Sequence, residues 1–369
     1  MALGFCPALL MHMKYVTGRN TPETKITPAG FTKMLLQDGV QTTPMGDPYT
    51  LNNSLGHTKN LRLKYYKRST TAIVSDEDNC EIDVIPVYSE MEIDSVDTAK
   101  IGIHIDNETI AKYCDEASRS VAVNGAPTPF MEEFMAAMLS QMPGMVAKIN
   151  QDLMAAVTWG TNVVTGNNNA VTVNFNDDNT SNLFSEGYTK ILNDYQINEG
   201  MDTPLLVGNG NINAAMIQAG IPDLTRYSPV NNAAAAGQFK YYFDINSATS
   251  WGANQFGIFM PGTVGLVQLN EFTGFRRMVS PLLYQFSMPM PLGLDRNGAP
   301  VIMNFDITYK YLDCPVDQTI QYQDVTLKRG WNLLIKKDYA LWQLPSDAYQ
   351  ASDRLTGVNG ALRYAASNT

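Results

Sequence analysis

Three histidines, His12, His57 and His104, and four cysteines, Cys6, Cys80, Cys114 and Cys314, are the side chains of this chain best suited to nucleophilic, proton-transfer or metal chemistry. Their spacing suits none of it. No CxxC pair marks a zinc or redox site, and no HExxH, GxSxG or SxxK arrangement occurs. Each histidine therefore reads as structural and each cysteine as a plain thiol. Gly208-Asn209-Gly210 follows the apolar run Leu205 to Val207 and precedes a short helical pattern, as a dinucleotide fold would require, but Asn213 stands where the third glycine belongs. Asp76-Glu77-Asp78-Asn79 opens like a calcium loop, yet Glu81 occupies the position that needs glycine for the sharp turn. Paired carboxylates are plentiful in so acidic a chain and select no acid and base. The sequence predicts no enzyme, no cofactor and no metal.

What remains is a set of elements built for position rather than reaction. Thr128 is a good N-cap, Pro129 sits where its missing N–H costs nothing, and Glu132 and Glu133 fall in the positive first turn. Phe130, Phe134 and Met138 then recur every four residues, and Met145, Ile149, Leu153 and Ala156 resume the spacing. A spine helix over 129–158 is expected, about 45 Å long at ~1.5 Å per residue. Pro143 removes one backbone hydrogen bond and clashes with the preceding turn, so Pro143-Gly144 is a candidate kink or hinge.

Upstream, Leu61 to Val74 and Glu81 to Tyr88 read as the strands of a long β-hairpin with a polar turn at Ser75 to Asn79. Its charge changes sign across the turn. Arg62, Lys64, Lys67 and Arg68 lie on the outgoing strand, and Asp76, Glu77, Asp78, Glu81 and Asp83 follow. An isolated two-stranded ribbon is marginal in water, so these charged residues are candidate contacts to a neighbouring subunit. The readings set against it are a solvated hairpin with cross-strand ion pairs, or a strand whose Tyr65 and Tyr66 stack on single-stranded nucleic acid.

Met1 to about Asp47 has no sustained period and reads as an extended arm. After the spine come the alternation Val171, Val173, Phe175, an amphipathic helix near Ser185 to Asn198 and the apolar strand Pro204 to Val207. The stretch Pro222 to Ala253 is expected to be mostly loop. Met303, Phe305, Ile307, Tyr309 and Tyr311 alternate with polar residues in a two-residue period, and another β-rich stretch covers Trp331 to Leu344.

The 369 residues hold 44 % apolar and 17 % charged side chains, a globular composition with enough apolar surface for a core. The net charge of −10 argues against a general nucleic-acid binder, and between Ile149 and Thr225 the only base is Lys190. No run of apolar residues is long enough to span a bilayer, and Ala2 to Met13 lacks the basic start of a signal peptide, so synthesis in the cytoplasm is expected.

Extended arm, long charged hairpin, spine helix, mixed α/β block and returning strands, in that order, resemble the major capsid protein of tailed bacteriophages. That α+β fold, the Hong Kong phage-type capsid fold, is shared with encapsulins and the herpesvirus capsid floor. The resemblance implies an N-terminal arm over 1–47, an extended loop over 48–90, and a peripheral domain over 91–182. It also implies an axial domain over 183–290 and a β-rich return over 291–369. It further implies hexamers and pentamers of an icosahedral shell around double-stranded DNA, in a virion assembled in the host cytoplasm. The expected partners are further copies of the chain, a separate scaffolding protein, a portal and decoration proteins. For an isopeptide cross-link, Lys64 or Lys67 and Asn359 are the residues to consider. An encapsulin-like compartment, or a β-rich tail or glycan-binding component, would suit the same composition.

Overall fold

The computed structural model describes residues 29–39, 61–66, 88–93, 97–106, 112, 143–174, 187–198, 200, 202–210, 212, 238–269, 277–280, 283–294, 300–312, 330–346 and 357–367. The chain divides into two compact units. Among the described residues one draws on Thr98–Ile149 and Gln268–Tyr339, and the other on Pro28–Asp97, Asn150–Val267 and Ala340–Thr369.

The first unit is built on long antiparallel strands. β3 (Asp97–Asp106), β9 (Arg277–Ser280), β10 (Leu283–Leu294), β11 (Pro300–Leu312) and β12 (Gly330–Gln343) lie side by side in the order β3-β12-β11-β10-β9. On β11 Met303, Phe305 and Ile307 are fully buried while Ile302 and Asn304 are exposed, but Asp306, expected on the polar side, is buried as well. Register places Ile307 opposite Ile335 and Tyr309 opposite Leu333, so apolar positions of β11 and β12 share one face. A bulge between Pro291 and Gly293 interrupts β10, where prolines 289 and 291 have no N–H for a ladder.

In the second unit a five-stranded mixed sheet carries helices on both faces. Its strands are β4 (Val171–Asn174), β5 (Leu205–Gly208), β6 (Lys240–Phe243), β7 (Gln255–Phe259) and β13 (Ala361–Ser367), in the order β4-β13-β7-β5-β6. β13 runs parallel to β4 and antiparallel to β7, and β5 runs parallel to β6. Interior strands buried on both sides lose the polar half of the alternation, which is why β5 is apolar throughout. On one face Val171, Val173, Leu206, Phe256, Ile258, Leu362 and Tyr364 meet Ile191 and Tyr195 of the helix Gly187–Ile197. On the other, Phe31 packs against Trp251 and Phe259 with ring centroids 5.8 and 5.3 Å apart, and Trp159 against Trp251 at 5.1 Å. β8 (Val264–Leu269) follows, and Leu344 N–H donates to Thr263 O at 2.8 Å.

Phe31 belongs to a helix, Gly30–Gln37, inside the segment read from sequence as an extended arm. Phe31, Met34 and Leu35 follow helical spacing and are buried with Gly30 and Thr32, so five residues of that helix belong to the core. The loop expected over Pro222 to Ala253 likewise contains β6 and the helical turn Ser247–Ser250. Four-residue elements are too short for a period to show. Of the expected spine, only 143–155 is described as helix, and it ends three residues before Thr158. Val157 N–H turns to the Met154 carbonyl, and Trp251 Nε1–H donates to the same oxygen at 3.0 Å, closing the last turn. Ala156 is consequently exposed, and Val157 continues the buried stripe.

Candidate functional site

The most constrained place in the second unit is a buried polar junction that fixes the helix Gly30–Gln37. Asp244, directly after β6, has no exposed surface. Its Oδ2 accepts from Phe31 N–H and from Asn150 Nδ2–H, both at 2.8 Å, and its Oδ1 accepts from Asn246 N–H at 2.8 Å. Asn150 completes the link, since its Oδ1 accepts from Thr32 N–H at 3.0 Å and Thr32 Oγ1–H at 2.9 Å. Two of the four backbone donors that a helix N-terminus leaves unpaired are thereby satisfied by side chains far away in sequence. Burial pushes the Asp244 carboxyl above the ordinary carboxylate range, and the N–H donors from Phe31, Asn150 and Asn246 pull against that shift. At the other end of the helix Asp38 takes Lys240 Nζ at 2.5 Å and accepts from the Tyr242 hydroxyl. Gly30 has no room for a side chain: a Cβ would lie 2.0 Å from the Phe243 carbonyl oxygen.

A second junction gathers the C-terminal return. Thr158 O accepts from Gln343 Nε2–H at 2.6 Å and from Asn359 Nδ2–H at 2.8 Å, while Thr158 N–H donates to Gln343 Oε1 at 2.9 Å. Asn359 Oδ1 accepts from Ala361 N–H at 3.1 Å, and a Cβ on Gly160 would sit 2.3 Å from that oxygen. Both ends of the Asn359 amide are therefore committed within its own subunit.

In the first unit Lys337, Asp338 and Asp306 are each buried. Thr98 Oγ1–H donates to Asp338 Oδ1 at 2.7 Å, and Lys336 Nζ lies 3.0 Å from Asp338 Oδ2. Burial pulls the Lys337 ammonium down to about 8, with Asp306 and Asp338 resisting. Neither unit's buried polar group was singled out in the sequence. A lone Asp among aromatic residues at 239–243 was the available signal for Asp244, and the adjacent Lys-Lys-Asp in an apolar strand was the signal for Lys337.

Of the residues that sequence did single out, Arg62 and Lys64 lie on β1 (Leu61–Tyr66), which pairs antiparallel with β2 (Tyr88–Ile93) as a two-stranded sheet of its own. Register sets Arg62 opposite Glu92 and Lys64 opposite Glu90, with Leu61 opposite Ile93 and Leu63 opposite Met91. The acidic partners are thus beyond the expected return strand, Glu81 to Tyr88. The pairing is centred on position 77, the middle of the expected turn. Lys67, Arg68, Asp76, Glu77 and Asp78 lie outside the described residues. Pro143 and Gly144 open the described part of the helix 143–155; Gly144 is exposed, with open space where a Cβ would stand. Residues 129–142 lie outside the described residues. Among the described residues no group of three or more His, Cys, Asp or Glu side chains is placed to hold a metal ion, and no helix is long and apolar enough to cross a membrane.

No family model and no curated sequence matches the chain. Solved structures do. One from Mycobacterium phage Bobi is similar at a TM-score of 0.42 and 11% identity over 88% of this chain and 96% of that one. The mature capsid of bacteriophage PhiM1 is similar at 0.37 and 10% over 84% and 82%. A virus-like particle from Pyrococcus furiosus is similar at 0.37 and 9% over 83% and 86%. The likeness is to phage capsids and a virus-like particle. At this identity it assigns no role to any residue, and the two junctions and the ribbon stand on their own geometry.

Proposed function

We propose that the chain is the major capsid, or coat, protein of a tailed bacteriophage. Copies of it would assemble into hexamers and pentamers of an icosahedral shell around packaged double-stranded DNA. The observation that carries this reading is the ribbon β1–β2. It is a separate two-stranded sheet in which one set of alternate positions holds Leu61, Leu63, Tyr65, Met91 and Ile93 with Ser89 as its polar member, and the other pairs Arg62 with Glu92, Lys64 with Glu90 and Tyr66 with Tyr88. Two strands alone are marginal in water. An apolar set on such a ribbon calls for a further surface, and in a shell of identical subunits a neighbouring copy supplies one.

On this reading Arg62 and Lys64 hold the hairpin's own register, and Lys67, Arg68, Asp76, Glu77 and Asp78 contact the neighbour. Pro143 and Gly144 absorb the change of curvature between hexamers and pentamers; Pro143→Ala shells with the wild-type mix of curvatures would remove the hinge from the account. A separate scaffolding protein, a portal and decoration proteins are the partners, and the acidic block 150–225 lines a cavity that holds DNA loosely. The protein acts in the virion capsid after assembly in the host cytoplasm, and it is not an enzyme. The test is negative-stain electron microscopy of the purified chain, alone and with a scaffold protein. Closed shells, tubes or hexamer sheets are expected. Small uniform particles under both conditions would favour a tail or glycan-binding component instead.

A further inference from the structure

An asparagine followed by glycine is prone to lose its side-chain amide to water, because the glycine has no side chain to shield the backbone nitrogen that attacks it. The pair occurs at Asn124, Asn209, Asn297 and Asn359. Asn124 and Asn297 lie outside the described residues. The other two are buried in the second unit with both amide atoms engaged. Asn209 Nδ2–H donates to Ala253 O at 2.6 Å, and its Oδ1 accepts from Ile212 N–H at 3.3 Å. Asn359 donates to Thr158 O and accepts from Ala361 N–H, directly ahead of β13.

At 359–360 the turn itself dictates the labile pair. Gly360 has φ +81°, in the left-handed region, and a Cβ there would overlap Thr263 Cγ2, so only glycine fits. Asn359 is the residue whose amide reaches Thr158 and Ala361 at once. The backbone is pinned beside it: Met260 N–H donates to Gly360 O at 2.9 Å, and Gly160 N–H to Ala361 O at 2.9 Å. Each of these bonds requires the C-terminal segment to be seated, with β13 between β4 and β7. Protection of the amide is thus a property of the docked strand and not of the local sequence.

We infer that Asn359 is a deamidation site of the undocked chain, and that its conversion bars β13 from docking afterwards. While the segment is free, Gly360 N gives its proton to water and attacks Asn359 Cγ. The new N–C bond closes a succinimide ring, and Nδ2 leaves as ammonia with a proton from water. A second water opens the ring at either carbonyl, giving aspartate or an isoaspartate whose main chain runs through the former side chain. In the seated chain the amide cannot turn its Cγ to Gly360 N without giving up Thr158 and Ala361. Aspartate has no N–H for Thr158 O and sets a carboxylate against that carbonyl. Isoaspartate also adds a carbon to the main chain just ahead of Ala361, whose pairing with Phe259 opens the β13 register. A chain slow to seat its last strand is withdrawn from folding, whereas a seated one keeps its amide.

Peptide mapping by mass spectrometry follows amide loss at Asn359 in the full chain at mildly alkaline pH, folded, in graded sub-denaturing urea and fully unfolded. Conversion from the folded state must pass through opening of the segment, so it is slowed by the opening equilibrium constant. It is expected to run at least about a hundredfold slower than in the unfolded chain, and to rise in step with amide exchange on β13 as urea is added. Chains aged in urea and then returned to buffer are expected to seat β13 only where Asn359 is intact. Asn359→Asp, the product with normal linkage, is expected to exchange its β13 amides at least about tenfold faster than wild type. The inference is overturned if Asn359 converts as fast folded as unfolded, or if its conversion does not follow β13 exchange. It is overturned equally if converted chains or Asn359→Asp protect β13 as wild type does.

Discussion

Replacing Asp244 by alanine removes the acceptor for Phe31 N–H, Asn150 Nδ2–H and Asn246 N–H. The first two donors are buried, and each such donor costs about 1–3 kcal/mol when left unpaired. The loss is partly offset because a charged carboxylate no longer has to be buried, which leaves an expected destabilisation of about 3 kcal/mol. Asp244→Asn keeps one oxygen and loses the charge, so its cost is smaller, about 1 kcal/mol. Trp251, which packs on both Phe31 and Trp159, reports the change by fluorescence during urea unfolding. Amide exchange should accelerate first over Gly30–Gln37, because Asp244 and Asn150 hold that helix by its first turn.

The pH dependence has a definite sign. A carboxyl whose folded pKa is raised above its ordinary 3.8 adds stability in its protonated form, and that stability is lost as pH rises through the raised value. Wild type should therefore gain on Asp244→Asn as pH falls from neutral toward 4. The reasoning is refuted if Asp244→Ala unfolds within 0.5 kcal/mol of wild type, roughly the scatter of a surface substitution. It is refuted equally if the asparagine variant is the worse of the two.

Lys337, lowered from 10.5 to about 8, contributes stability that is present above 10.5 and lost as pH falls through 8. Wild type should gain on Lys337→Met by on the order of 3 kcal/mol between pH 7 and 10.5, read from thermal midpoints. Asn359→Ala should cost about 1–2 kcal/mol through the Thr158 and Ala361 contacts, and Gly160→Ala more, since its Cβ would overlap Asn359; urea titration ranks them. Arg62→Glu sets like charges opposite at Glu92 and should weaken the ribbon by about 0.2–1 kcal/mol, with Arg62→Glu/Glu92→Arg restoring it, measured as amide exchange on β1 and β2.

Long elements with a clean period were legible from sequence. β11 announced itself through Met303, Phe305 and Ile307, the helix Gly187–Ile197 through its amphipathic pattern, and β5 through three apolar residues bounded by Pro204 and Gly208. What escaped is what tertiary contacts decide. The helix Gly30–Gln37 is short and set among Pro, Thr and Gly, and its N-terminus is capped by Asp244, 213 positions away from Phe31, instead of by a neighbour in sequence. The return strand of the hairpin was expected over Glu81 to Tyr88, whereas the pairing that is described uses Tyr88–Ile93, in which only Met91 and Ile93 against Glu90 and Glu92 alternate cleanly. The junctions escaped for the same reason as the helix: Asp244, Asn150, Thr158 and Asn359 are ordinary residues until the chain brings them together.

The two ends of the second unit explain why those junctions are polar. β13 sits inside the sheet between β4 and β7, yet it is formed by residues 361–367, and one face of the same sheet is closed by residues 30–37. An interior strand added from such a distance brings little sequence-local information about register, and a one-residue slip would turn Leu362 and Tyr364 away from the core. Apolar contacts alone tolerate such slips. Hydrogen bonds with fixed partners do not: Asn359 must find both Thr158 and Ala361, and Phe31 N–H must find Asp244. The polar junctions thus select a single docking of each distant segment, while the aromatic and aliphatic surface beneath supplies most of the free energy.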